Sequence, residues 1–357
     1  MSRNLPLAIF KMPGKNKIHI VFQREANPII IAKNEEFGGK RGFVFAPFSI
    51  DENFPWFLIK PDFEFVNDRI DFEVFNQISK TKTCVYPKKS AIKTKPDFEN
   101  EVKKIKAAIQ QNRLKKVIAW RVKDITKPKH FSLAGFFLSL CETYQSAFVS
   151  LVFLPETGLW LGASPELLLK ISAQNLQTVA LAGTQAFKNK KLESVVWDKK
   201  EIEEQDLVTK FLLKKLRELS LKKIETRGPH TVKAGNLLHL KTSFSGSLEE
   251  QFDLAKILGA IHPTPAVGGL PKLEALKFIE ENETQNREYY SGYLGPVGLL
   301  NTTEIYVNLR CMKVLERTLE LFVGCGITAG SDPTSEWKET CLKAQTILNV
   351  LEKNRDL

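Results

Sequence analysis

The sequence predicts an α+β fold. Short runs of alternating apolar residues are grouped together, helix-period segments fall irregularly between them, and the regular strand-then-helix alternation of a parallel sheet is missing. Antiparallel or mixed sheets with helices outside fit that order, and no internal repeat or low-complexity linker marks a clean domain boundary.

Residues 1–95 carry runs such as IHIVFQ and GFVFAPF between Pro, Asn and Asp breaks, which predicts strands joined by turns and no recognisable chemistry. From Asp97 an apolar period through Val102, Ile105 and Ile109 predicts a helix, and KVIAWRV after it a strand. Residues 131–144 read as helix, and SAFVSLVFL, GLWLG and ELLLKIS as strands. A long amphipathic helix is predicted over roughly 197–219. The segment HLKTSFSG, the Pro- and Gly-rich stretch IHPTPAVGGLP, the helix KLEALKFIEEN and four closing segments complete the chain.

With 357 residues, 43% of them hydrophobic, the chain is long enough to bury a large core. It has no apolar run of membrane-spanning length, and its start, MSRNLPLAIFKMPGKN, is too short and broken for a signal peptide, so a cytoplasmic protein with no membrane partner is expected. Cys84, Cys141, Cys311, Cys325 and Cys341 are odd in number and form no CxxC pair, which predicts buried free thiols rather than a zinc knuckle or a disulfide framework. The formal charge of +11 raises the question of nucleic acid. Its lysines, however, come in small separate groups, Lys103, Lys104 and Lys106, then Lys188, Lys190 and Lys191, then Lys214 and Lys215, which reads as solvated faces and no nucleic-acid partner. The surplus can still concentrate a small dianion near a cleft.

Chemistry concentrates in two helices. After the strand LELFVGCGIT and the turn SDP, Glu336, Glu339 and Lys343 share one helical face that continues into Ile347 and Val350. Asp332 and Pro333 suit the cap and first turn, and Gly324 and Gly326 let the chain approach a ligand closely. In the helix at 197–219, Glu201 and Glu204 line up with Val208 and Phe211 and so point inward. Inward carboxylates must be protonated, paired with Lys or Arg, or bound to a hard cation such as Mg²⁺, and spacing alone leaves all three open.

Lys116 starts KVIAWRV and Glu166 starts ELLLKIS, each where the chain meets an apolar strand. Such a pair either reaches solvent or, between apolar walls, supplies a base and an acid. Arg310, in YVNLR, is placed on a strand beside Tyr306 and Asn308, suited to a carboxylate or to a structural ion pair. Tyr290 and His239 stand next to glycines, and His239 and His262 lack metal-ligand spacing, so no zinc is expected.

In order along the chain, KVIAWR, GASPELLL, LAGT, KEIEEQ, HLKT, HPTPAVGGLP, REYYSGYLGPVG, GCGIT and EWKET resemble the chorismate-utilising enzymes, which include isochorismate, salicylate, anthranilate and aminodeoxychorismate synthases. The resemblance covers roughly 115–350, the motif-bearing catalytic part of a single 1–357 domain, and is weak over 1–95. It implies a four-layer α/β sandwich with two central antiparallel sheets flanked by helices, holding Mg²⁺ and chorismate, in a monomer or weak homodimer. By the same resemblance Glu204 and Glu339 are Mg²⁺ ligands with Glu201 and Glu336 in support. Gly324, Gly326 and Lys343 would receive the ring carboxylate, Arg310 and Tyr290 the enolpyruvyl carboxylate, and Thr184, His239 and Ala266 would line the ring.

Members that add water carry lysine where Lys116 stands, which implies that Lys116 activates water for attack at carbon 2 while Glu166 protonates the hydroxyl leaving carbon 4. Aminodeoxychorismate synthases carry a lysine where Ala182 stands, and salicylate synthases tend to have threonine in place of Ala266, so the resemblance is nearest to isochorismate synthases. Gln205 replaces a usual histidine.

Overall fold

A computed structural model describes residues 5–31, 39–67, 92–187 and 191–353. Cys84, Lys188 and Lys190 lie outside the described residues. The chain opens with strands β1 (Leu7–Lys11), β2 (Ile18–Phe22), β3 (Ile29–Ile31), β4 (Gly42–Ala46), β5 (Trp56–Ile59) and β6 (Phe63–Asn67). Helix α1 (Lys95–Gln110) and strand β7 (Lys116–Thr126) come next, then α2 (Leu133–Thr143), β8 (Phe148–Leu154), β9 (Gly158–Ser164), β10 (Leu167–Ser172) and β11 (Asn175–Ala186). Helix α3 (Lys199–Glu218) precedes β12 (Lys222–Ala234), β13 (Leu237–Ser247), α4 (Leu254–Ile261), β14 (Gly269–Leu270) and α5 (Lys272–Asn282). The end is β15 (Tyr293–Val297), β16 (Thr302–Val307), β17 (Cys311–Val314), β18 (Thr318–Ile327) and α6 (Pro333–Lys353).

The strands form two nine-stranded antiparallel sheets, ordered β14-β7-β18-β17-β9-β8-β1-β2-β6 and β12-β13-β11-β10-β16-β15-β4-β5-β3. The first six strands are divided between both sheets, so the weakly matched amino-terminal third is woven into the sandwich. Side-chain alternation builds the layers. On β1, Leu7 and Ile9 face a cluster shared with α2 and α6, while Ala8 and Phe10 face the inter-sheet core. The second sheet covers its other face with α3 and α4, which gives the expected α+β sandwich of four layers. Between the sheets the Phe148 and Tyr306 rings stack at 4.3 Å, and each large aromatic so buried contributes roughly 1.5–3 kcal/mol.

Local chemistry sets the helix ends. Thr94 and Asp97 close a reciprocal capping box at the start of α1, where Pro96 occupies the first turn. Asp332 accepts the Ser335 amide at 2.8 Å at the start of α6, as the SDP turn suggests. Two elements go beyond the sequence reading: α4 precedes the Pro- and Gly-rich stretch, ending at its first residue, and β12 is a largely exposed edge strand without strong alternation. Arg310 is also not on a strand. Strand β16 ends at Val307, and Arg310 takes a left-handed φ of 50° where the chain crosses from one sheet to the other before β17. Among the described residues Cys141, Cys311 and Cys325 are buried free thiols and Cys341 is half-buried.

Candidate active site

The two longest motif-bearing strands of the first sheet, β7 and β18, pair from Thr318 with Thr126 to Ile327 with Val117, and this register brings Lys116 to the Gly326 end. One cavity forms there between the sheets. Glu166 enters it from the link between β9 and β10, Thr184 from a bulge in β11, His239 from β13 and Glu204 from α3. Ala266, Tyr290 and Arg310 contribute from loops, and Gly324, Gly326 and Lys343 from β18 and α6.

Lys116 is fully buried, and its Nζ reaches Glu204 Oε1 at 2.8 Å. Glu166 is held by its backbone, which donates to Ser164 Oγ and accepts from the Val307 amide. Burial pushes its carboxyl up to about 7, against the pull of Lys116, Arg310 and Lys343. It can therefore keep a proton near neutrality, as a general acid must. His239 Nδ1 lies 2.7 Å from the Gly183 carbonyl, an acceptor, so Nδ1 carries the hydrogen and Nε2 is left as an unpartnered acceptor. Burial lowers the His239 pKa to about 3, so the ring stays neutral.

Lys343 Nζ bridges Glu339 Oε1 at 2.8 Å and the Gly324 carbonyl at 3.0 Å. Burial disfavours the Glu339 carboxylate, but Lys343, Lys200 and Arg310 outweigh it and hold the carboxyl below its ordinary range. Burial, then the neighbouring Glu339, raises Glu336, whose Oε1 binds Lys200 Nζ at 2.5 Å. Burial opposes the charge of Lys200 as well, yet Glu336, Glu339 and Glu204 raise its pKa above the ordinary lysine value.

Of the four predicted carboxylates Glu204 lines the cavity, bound to Lys116, while Glu339 and Glu336 stand behind it, paired with Lys343 and Lys200. Among the described residues no three His, Cys, Asp or Glu side chains converge as a ready metal cluster. The donor set nevertheless fits a hard divalent cation: four carboxylates from two helices, of which Glu201 keeps a buried Oε2 without a hydrogen-bond partner.

Two contributors, Lys200 and Arg287, escaped the sequence reading. Lys200 sits one turn before Glu204 on the same face, a spacing that could have placed it. Gln205, already singled out in the sequence, donates to the Ala180 carbonyl at 3.2 Å and to Thr242 Oγ1 at 3.0 Å, anchoring α3 on β11 and β13. Buried Arg287 donates to the Val267 carbonyl at 2.7 Å and the Ile118 carbonyl at 3.0 Å, pinning the HPTPAVGG loop to the strand of Lys116. These two carbonyls are distant in sequence and leave no local signal, while the ion pair with Glu283, four residues earlier, holds the guanidinium in place.

A Cβ on Gly326 would sit 2.6 Å from Lys116 Cε and 2.7 Å from Glu204 Oε1. These are ends of flexible side chains, so Gly326→Ala is expected to fold with a near wild-type melting temperature and to lose about 10²-fold in kcat by displacing them. Gly324→Ala meets the Ala119 carbonyl at 2.7 Å, a backbone atom, and is expected to lower the melting temperature as well.

The chain is similar to known proteins over most of its length. A sequence profile of the chorismate binding enzymes matches residues 64–352. The isochorismate synthase EntC of Escherichia coli (strain K12) is 31% identical over 268 residues, 73% of this chain and 68% of that protein. The isochorismate synthase MenF of Bacillus subtilis (strain 168) is 26% identical over 73% of this chain and 56% of its own. The solved structure of MenF, the menaquinone-specific isochorismate synthase from Escherichia coli, has the same fold, with a TM-score of 0.79 at 21% identity over 98% of this chain and 89% of that one. With its profile match spanning both sheets and the helices that carry the cavity, the chain belongs to the chorismate-binding enzyme family.

Proposed function

We propose that the chain is a Mg²⁺-dependent isochorismate synthase. The observation that carries this reading is a buried lysine, bound to Glu204 in the wall of the cavity that Glu166 also lines, beside a buried carboxyl pushed up to about 7. Enzymes that add water to chorismate need a base for the water and an acid for the departing hydroxyl, and similarity to isochorismate synthases supports that chemistry over ammonia addition.

Lys116 takes a proton from water as its oxygen bonds to carbon 2 of chorismate. The ring double bonds shift, the carbon 4–oxygen bond breaks, and Glu166 gives its proton to the leaving hydroxyl. One water enters and one leaves, so substrate and product are isomers. For Lys116 to act, its bond to Glu204 must open. Arg310 and Tyr290 hold the enolpyruvyl carboxylate, while Thr184, Ala266 and neutral His239, with its free Nε2, line the ring.

Glu204 and Glu339, supported by Glu201 and Glu336, would hold Mg²⁺, which when bound offsets the ring carboxylate charge and orients the substrate. Lys343 and the backbone at Gly324 and Gly326, packed too closely for a side chain to enter without displacing a neighbour, complete that end. Incubation with chorismate and Mg²⁺, followed by resolution of the products, tests the reading. Isochorismate without pyruvate supports it; salicylate with pyruvate, or turnover that requires ammonia, rejects it.

A further inference from the structure

The reacting side chains are deeply placed: Lys116 exposes 0% of its surface, Tyr290 3% and Glu166 4%. A substrate therefore needs a passage. A second cavity, of about 1130 Å³, opens between the two sheets and shares Pro165, Leu181 and Arg310 with the walls of the reaction cavity. Its volume is at or above the upper end of ordinary small-molecule sites.

Charge distinguishes the two ends of the reaction cavity. The large cavity is lined by Lys15, Lys17, Lys170, Lys233 and Lys241, with Arg310 at the shared wall. Its one carboxylate, Glu304, is already bound by Lys170 at 2.9 Å and by the Tyr306 hydroxyl at 2.9 Å. The lysines are also graded: Lys15, Lys17 and Lys233 are exposed, whereas Lys170 and Lys241 are half-buried. At the other end of the reaction cavity the charges are already balanced: Glu204 is paired with Lys116, Glu336 with Lys200 and Glu339 with Lys343.

We propose that the inter-sheet cavity is the access channel for the dicarboxylate substrate, with its lysines drawing in the dianion and Arg310 receiving it at the inner end. The proposal rests on the chorismate reading. A cleft of one sign between low-dielectric walls focuses its field, and such steering raises association rates by roughly 10–10³ at low salt. Screening shortens its reach to about 8 Å at physiological ionic strength.

Stopped-flow tryptophan fluorescence on the Mg²⁺-loaded protein mixed with chorismate tests the channel. Val179→Phe narrows the cavity at a wall that the reaction cavity does not share. Its association and dissociation rates should fall by the same factor with Kd unchanged, the mark of a passage rather than a binding contact, and an unchanged Kd also shows a folded site. The double variant Lys17→Glu, Lys241→Glu should associate roughly ten-fold more slowly at low salt. It should also lose the salt dependence of the wild type, while Lys214→Glu on the exposed face of α3 should not.

Wild-type association rates in both cavity variants, or a shifted Kd at an unchanged association rate, overturn the channel. A wild-type protein that binds chorismate but forms no isochorismate overturns the reaction reading alone, and one that binds none overturns both.

Discussion

Lys116→Met is expected to lose about 10²–10⁴-fold in kcat, the range for removing a positioned general base, with chorismate affinity kept within a few-fold. Methionine is used because Lys116 is fully buried, and alanine would add a cavity beside β18 to the loss of the amine. The split is diagnostic. Loss in kcat with Kd preserved places the amine in the transition state, whereas loss of binding with kcat kept would make it a substrate contact. Glu204 complicates the reading, because the ion pair at 2.8 Å disappears with the amine. Titration of Mg²⁺ into the variant separates the two roles: unchanged metal affinity leaves the kcat loss to the missing base.

Glu166→Gln should cost a similar factor in kcat, since glutamine keeps the shape but cannot give the leaving hydroxyl a proton. The same substitution should stabilise the fold at high pH. Below the ordinary carboxyl value of 4.5, Glu166 is protonated in both folded and unfolded chains and adds no pH dependence. Between 4.5 and about 7 the folded chain keeps a proton that the unfolded chain releases, so stability falls as pH rises. Above about 7 the folded chain carries a buried carboxylate at full penalty, on the order of 3 kcal/mol. Glutamine carries no such penalty. Melting curves should show Glu166→Gln more stable than wild type at pH 8 and equal to it near pH 4; equal stability at both would contradict the raised pKa. In the wild type, kcat/KM should fall with rising pH above about 7, because the acid must be protonated.

The α+β class was legible in strand-period and helix-period segments such as the stripe of Val208 and Phe211, whereas the four layers followed from the family resemblance, because a strand such as β1 is buried on both faces and records neither. The site was legible in its residues more than in its geometry. Glu336, Glu339 and Lys343 stand on one face of α6 because helix spacing dictates it, whereas their meeting with Lys200 depends on how α3 and α6 approach, which no local pattern encodes. Arg310 shows the limit most clearly. The alternation in YVNLR continues past Val307, but the chain leaves the strand to change sheets, and a left-handed residue turns the guanidinium toward the cavity instead of a ladder. Arg287 acts through two carbonyls remote in sequence, and so it too becomes visible only in the folded chain.

The central claim is that water, activated at Lys116, becomes the new hydroxyl on carbon 2. Turnover of chorismate with Mg²⁺ in ¹⁸O-labelled water, with the product analysed by mass spectrometry and carbon NMR, tests it most directly. The account predicts isochorismate carrying one ¹⁸O on carbon 2, with no pyruvate released and no dependence on ammonia. Unlabelled isochorismate, or a labelled product with the oxygen elsewhere, would contradict it.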